Sequence, residues 1–150
     1  MAPDAAFALA NTMALGGWLL LAAGLFVAAP WRARLLALGG RALPLALAAG
    51  YAIALLAGWR SAPAGSGFGS LTAVAGLFSV PTLLLAGWVH YLAFDLFVGR
   101  WIVDRAAASG VPRVVVLACL PPTFLFGPIG LLAFACLEPL TRAKEPLDAN

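Results

Sequence analysis

Charge is the scarce ingredient of this chain. Of its 150 residues only 10% are charged, while 63% are hydrophobic and the mean hydropathy is +1.00. An ordinary soluble domain carries roughly 25% charged residues. A soluble fold this small also has too high a surface-to-volume ratio to bury so much apolar surface. Lipid, acting as the solvent, removes the difficulty. The same scarcity speaks against a nucleic-acid partner: a net charge of +3 is too small and too scattered to form a phosphate-binding face.

Histidine is reduced to one residue, His90, and cysteine to two, Cys119 and Cys136, with no C-x-x-C pair. One imidazole cannot close a metal site, so neither metal nor cofactor is expected, and the cysteines read as small buried hydrophobes. A nucleotide loop, a nucleophile elbow and a metalloprotease helix are all missing. So is any internal repeat. The beginning of the chain lacks the basic region of a secretory signal, since Arg32 is the first basic residue and Asp4 the only earlier charge. The first apolar run is therefore expected to be a retained helix, inserted N-terminus outward. No arginine-rich transit peptide is visible, and the Ala-rich composition suits a bacterial inner membrane.

What is present is a series of apolar runs near the roughly 20 residues that a membrane-crossing helix needs. They predict an all-α integral membrane bundle, a single domain over 1–150 with about four transmembrane helices. The first span covers about 5–29 and ends at Pro30. Residues 31–42, with Arg32, Arg34, Arg41 and the Gly39-Gly40 pair, read as an interfacial loop with Trp31 at headgroup depth. The second span covers 43–59, with Pro44 in its first turn. It is the shortest, and part of 35–41 could extend it. A Gly- and Pro-rich loop follows, then a short interfacial or re-entrant helix over 70–78. The third span covers 81–103, started by Pro81 with Ser79 as its cap. The fourth covers 113–137, broken or kinked by Pro121, Pro122 and Pro128, and a polar tail over 138–150 ends the chain. Four spans put both termini on one side, with Arg60, Arg142 and Lys144. The other side then holds Arg32, Arg34, Arg41, Arg100, Arg105 and Arg113. The basic excess assigns that side to the cytoplasm and the termini to the outside.

The third span carries the polar groups. Ionisable residues inside a spanning helix are costly and are functional candidates for that reason. At about 1.5 Å rise per residue, Asp95 lies roughly 7–8 Å deeper than Arg100, and His90 roughly 15 Å deeper. Helical spacing puts Trp88, Tyr91, Asp95 and Ile102 on one face, and His90, Phe94, Phe97 and Trp101 on a neighbouring one. His90 and Asp95 are about 140° apart around the axis, so a ligand or another helix must bridge them. The aromatic stripe would suit a polyene or another long conjugated lipid, with the polar groups handling its oxygenated end. The plainer alternatives are histidine as interhelical glue, Arg100 paired with Asp104 at i,i+4, and aromatics that only pack or face lipid. In the fourth span, Thr123 and the carbonyls freed by proline predict a polar patch at membrane depth.

The run GWVHYLAFDLFVGRW over 87–101, followed by PPTFLFGPIGLL over 121–132, resembles the abscisic-acid-deficient-four-like family of small membrane proteins. The likeness covers the second half of the chain; the first half matches only in having apolar spans. The resemblance implies carotenoid metabolism. Plant members are plastid membrane proteins needed to make neoxanthin from violaxanthin, a step that isomerises an epoxide to an allenic alcohol. It carries over His90, Tyr91, Asp95 and Arg100 as catalytic candidates. Trp88, Phe94, Phe97, Trp101 and Thr123 are the substrate-binding candidates read from their positions. The substrate itself does not carry over, only its class: a carotenoid, retinoid or other isoprenoid lipid.

Two functions follow as expectations. One is a membrane-embedded isomerase or carotenoid-modifying protein. Epoxide opening needs an acid and a base, with Asp95 as acid, His90 as base and Tyr91 orienting the oxygen. The other is a non-catalytic membrane module, either a lipid-binding or assembly factor or a small transporter formed as a homo-oligomer.

Overall fold

The computed structural model describes residues 2–142, and every described element is a helix or a turn. Lys144 and the rest of the expected tail lie outside them. The first helix, α1 (Pro3–Gly24), opens with Pro3, whose missing N–H is harmless there, and with Asp4 beside the electropositive helix start. Its buried positions Ala10, Ala14, Gly17, Trp18, Leu21 and Gly24 fall on one helical face. The small residues of that face let α1 approach its neighbours closely. Helix α1 ends at Gly24 rather than near 29, where the Leu25 N–H donates to the Ala22 carbonyl and the Phe26 N–H to the Ala23 carbonyl, tightening the last turn.

The interfacial loop expected over 31–42 is helical instead. Helix α2 (Trp31–Ala37) runs through a π turn (Leu38–Ala42) into α3 (Leu43–Trp59), a continuous apolar stretch of 29 residues. The Gly39-Gly40 pair does not break it, because both glycines are used for close packing. A Cβ at Gly39 would stand 2.8 Å from the Gly17 carbonyl, and one at Gly40 would stand 2.5 Å from the Arg100 stem. The π turn also accommodates Pro44, whose ring would otherwise clash with a carbonyl one turn back. In it the Leu43 N–H reaches Leu38, a wider loop than an α-helix has.

The expected short helix is present as α4 (Leu71–Phe78), capped by the Ser70 hydroxyl, which accepts from the Ala73 N–H at 3.1 Å. Ser79 does not cap the next helix; its hydroxyl donates to the Gly76 carbonyl and closes α4. Helix α5 (Pro81–Ser109) starts at Pro81 as expected. It runs six residues past the anticipated end at 103, until Gly110 turns left-handed at φ 69°. It is the axis of the molecule, packing against α1, α3, α4, α6 and α7.

The anticipated fourth span is two helices of 14 residues, α6 (Arg113–Phe126) and α7 (Pro128–Thr141). Pro121 and Pro122 stay inside α6. The break is at Gly127, with φ 47° and ψ −96°. A residue before proline is disfavoured in the helical region, and only glycine enters positive φ without steric cost. The chain then folds back on itself. Phe124 meets Tyr91, Gly127 meets Asp95, Phe134 meets Trp101 and Glu138 pairs with Arg105. Helix α7 therefore runs alongside α5 in the same direction, and both ends of the hairpin lie at the Ser109 end of the bundle. Three helices, Pro3–Gly24, Trp31–Trp59 and Pro81–Ser109, are long and apolar enough to cross a membrane.

Candidate functional site

Helix α5 sorts its polar side chains onto two sides. One side faces the α6–α7 hairpin. Asp95 is buried there, against the hairpin tip: a Cβ at Gly127 would lie 2.5 Å from its Oδ1. Tyr91 donates a long hydrogen bond to the Phe124 carbonyl at 3.4 Å, just before the tip. Trp18 of α1 completes the cluster with its ring 5.6 Å from Phe124. Asp95 Oδ2 and Trp18 Nε1 are both enclosed without a hydrogen-bond partner. Leaving such groups unpaired costs roughly 1–3 kcal/mol each. No cation faces the Asp95 carboxyl among the described residues.

Thr123, expected to offer a polar patch, is completely buried, and its hydroxyl donates to the Cys119 carbonyl at 2.7 Å. Trp88 lies at the far end of α5, where its indole N–H donates to Asn11 Oδ1 at 3.2 Å and its ring neighbours Phe7. Trp101 packs edge-on against Phe134 of α7 at 5.9 Å.

The other side of α5 faces α2–α3, and it is open. A groove of about 710 Å³ runs between them, walled by Phe94, Phe97, Ala93, Pro44, Leu45 and Ala48. At one end it is polar, with Arg41, Arg100 and Asp104. Arg100 Nε holds Asp104 Oδ2 at 2.7 Å, the i,i+4 pairing open from the sequence, while its stem lies across Gly40. Further along the same seam is a second cavity of about 210 Å³, lined by His90, Tyr51, Leu55, Phe68, Phe78 and Leu83 among others. The exposed His90 ring lies 4.6 Å from Phe94 and 5.4 Å from Tyr51, so it stands between the two cavities.

The fold thus brings Tyr91 and Asp95 together and gathers His90, Phe94, Phe97 and Arg100 along another seam. It does not bring His90 to Asp95, as their angular separation foretold. Reasoning from the sequence missed Trp18, Asn11, Tyr51, Gly127 and the groove position of Arg41. Arg41 had a usable signal, since it sits beside a glycine pair that permits close helix contact. Gly127 had one too, because proline follows it directly. Among the described residues no three His, Cys, Asp or Glu side chains converge as a metal site would require.

A family model described as ABA DEFICIENT 4-like matches residues 5–134, most of the chain and both sides of α5. Neither the curated proteins nor the solved structures contain a match.

Proposed function

This chain belongs to the ABA DEFICIENT 4-like family, and from that premise we propose that it is a membrane-embedded protein that binds a carotenoid or other isoprenoid lipid along the α3–α5 seam and modifies it. The observation that carries this reading is the alignment of two cavities on one seam, joined by the Phe94–His90 stack. From Leu83 to Asp104 that seam is roughly 30 Å long at helical rise, about the hydrocarbon thickness of a bilayer. A short ligand would need one pocket. A long, stiff polyene needs a continuous aromatic wall with polar groups at intervals.

Membrane embedding is supported by the three long apolar helices and by large side chains that face outward, such as Ile53 at 70% and Leu56 at 76% exposure. The same helices suggest an orientation in the bacterial inner membrane. Arg32, Arg34, Arg41, Arg100, Arg105, Arg113 and Arg142 gather toward one end of the bundle, and Arg60 toward the other. The positive-inside rule puts the first group in the cytoplasm. The hairpin then enters from the cytoplasm and returns there, so Arg142 lies inside and Pro3 outside.

The proton chemistry belongs with His90, whose imidazole stands in the seam between the two cavities, acting as base. Asp95 and Tyr91 sit behind α5 relative to the ligand, so an acid role for Asp95 would require the hairpin tip to part from α5. The reading is tested by purifying the protein from a carotenoid-producing host. Native protein should be coloured, and Ala48→Phe, which fills the groove, should be colourless at an unchanged melting temperature. Extracts with no isoprenoid above the detergent background sink it. The non-catalytic alternative, lipid binding without modification, is favoured by a coloured His90→Gln protein in cells whose pigment profile does not change.

A further inference from the structure

The polar end of the groove does not match a neutral lipid. We infer that its mouth is a headgroup site for an anion, and that the lipid taken by the seam ends in a phosphate or carboxylate. This rests on the isoprenoid reading above and narrows it. Two guanidinium groups, Arg41 and Arg100, line the mouth against one carboxylate, Asp104. Arg100 is held by Asp104 at 2.7 Å, whereas Arg41 makes no ion pair among the described residues. One positive charge is therefore left facing the opening.

The local backbone is built around that charge. Arg41 sits in the π turn Leu38–Ala42, a rare widening that recurs at functional positions. Gly40, next to it, lets the Arg100 stem lie directly on the helix, so the two guanidinium groups come from helices in close contact. Guanidinium presents several donors in a fixed fork that fits phosphate and carboxylate oxygens. Both arginines are about ten residues from the basic end of their helices, roughly 15 Å at helical rise. Each of those helices, at 29 residues, is longer than the hydrocarbon is thick. This places the mouth near the headgroup boundary, where basic pockets between spanning helices hold anionic headgroups. The apolar walls continue from there towards Phe94 and His90, so a headgroup at Arg41 orients the chain along the seam.

The test measures binding to the full-length protein in neutral detergent, using four probes: geranylgeranyl phosphate, geranylgeraniol, hexadecyl phosphate and inorganic phosphate. Geranylgeranyl phosphate is expected to bind about tenfold more tightly than the alcohol, the size of one charge-assisted hydrogen bond. Arg41→Gln should abolish that difference. Arg34→Gln, whose guanidinium lies over the Trp31 ring, should keep it. Asp104→Asn releases Arg100 and should tighten phosphate binding severalfold, a gain that a merely unfolded variant cannot mimic. Equal binding of phosphate and alcohol to the native protein overturns the headgroup site and leaves the isoprenoid reading standing. Equal binding of hexadecyl and geranylgeranyl phosphate supports the headgroup site and overturns the isoprenoid reading. Inorganic phosphate competing as well as the amphiphiles overturns the inference in favour of a free-anion site.

Discussion

Two stretches of this chain have the same length and the same breaking elements, and they fold in opposite ways. Trp31–Trp59 and Arg113–Thr141 are both apolar, and both contain glycine and proline in mid-run. The first runs on as one helix through a π turn. The second doubles back at Gly127. The difference lies in the order of the breakers. In the first, Gly39 and Gly40 precede Pro44 by several residues, so the backbone widens by one residue and keeps its direction. In the second, Pro128 follows Gly127 directly. Proline disfavours the helical region for its predecessor; Leu43 before Pro44 stays helical all the same, whereas Gly127 takes a positive φ that reverses the chain. Packing then stabilises each outcome: Gly39 and Gly40 accept α1 and α5, while Gly127 and Gly130 accept Asp95 and Thr123.

The largest effect expected from this contrast is a change of side. A reporter fused after Arg142 should be active in the cytoplasm and one fused before Pro3 outside, because a hairpin returns to its starting side and a full span does not. Reporters that place both ends on the same side would break the comparison. Next in size is Gly127→Val, which puts a β-branched residue at φ 47° and a Cβ 2.5 Å from Asp95 Oδ1. Strained backbone of this kind costs of order 1–3 kcal/mol before any clash is counted. The melting temperature in detergent should fall by several degrees or more, and an unchanged melt means that the tip is not built as described.

Gly40→Ala, at a position with no positive φ, should cost less, about 1–3 kcal/mol, because its Cβ would overlap the Arg100 stem from Cδ to Cβ and push α3 and α5 apart. Lipid binding should weaken with it, since the groove mouth shifts; retained binding at reduced stability would separate the π turn from the site. Asp95→Asn should move the melt by less than about 1 kcal/mol, because no cation loses a partner and the amide keeps the shape. The pigment profile of a complemented strain should survive this change and be lost with His90→Gln. An intact Asp95→Asn protein with lost pigment chemistry would transfer the proton step to the hairpin face. Of similar size is Arg105→Gln, which removes the ion pair with Glu138 at 2.5 Å. Arg105 is half exposed, though Glu138 is only 13% exposed, so the loss should be about 1 kcal/mol by thermal melting.

Much of the architecture was legible in the residues alone. Scarce charge and long apolar runs dictated helices of spanning length, since an isolated apolar segment can satisfy its backbone only by bonding to itself. Pro81 marked the start of α5, and helical periodicity already parted His90 from Asp95 around it. These are local properties, fixed by the dihedral preferences and spacing of neighbouring residues. The fate of the two breaks was not local in the same sense. Whether Gly39-Gly40 opened a loop or a π turn depended on α1 and α5 lying close enough to use the missing side chains. Whether Gly127 kinked a span or reversed it depended on Tyr91 and Asp95 receiving the tip. The groove had no sequence signature, because its walls come from two helices whose register is decided by contact. Sequence determined that this chain would be helical and apolar and where its polar groups would sit along α5. Only tertiary packing decided which of them meet, because a helix fixes the angle between its own side chains but not what stands opposite them.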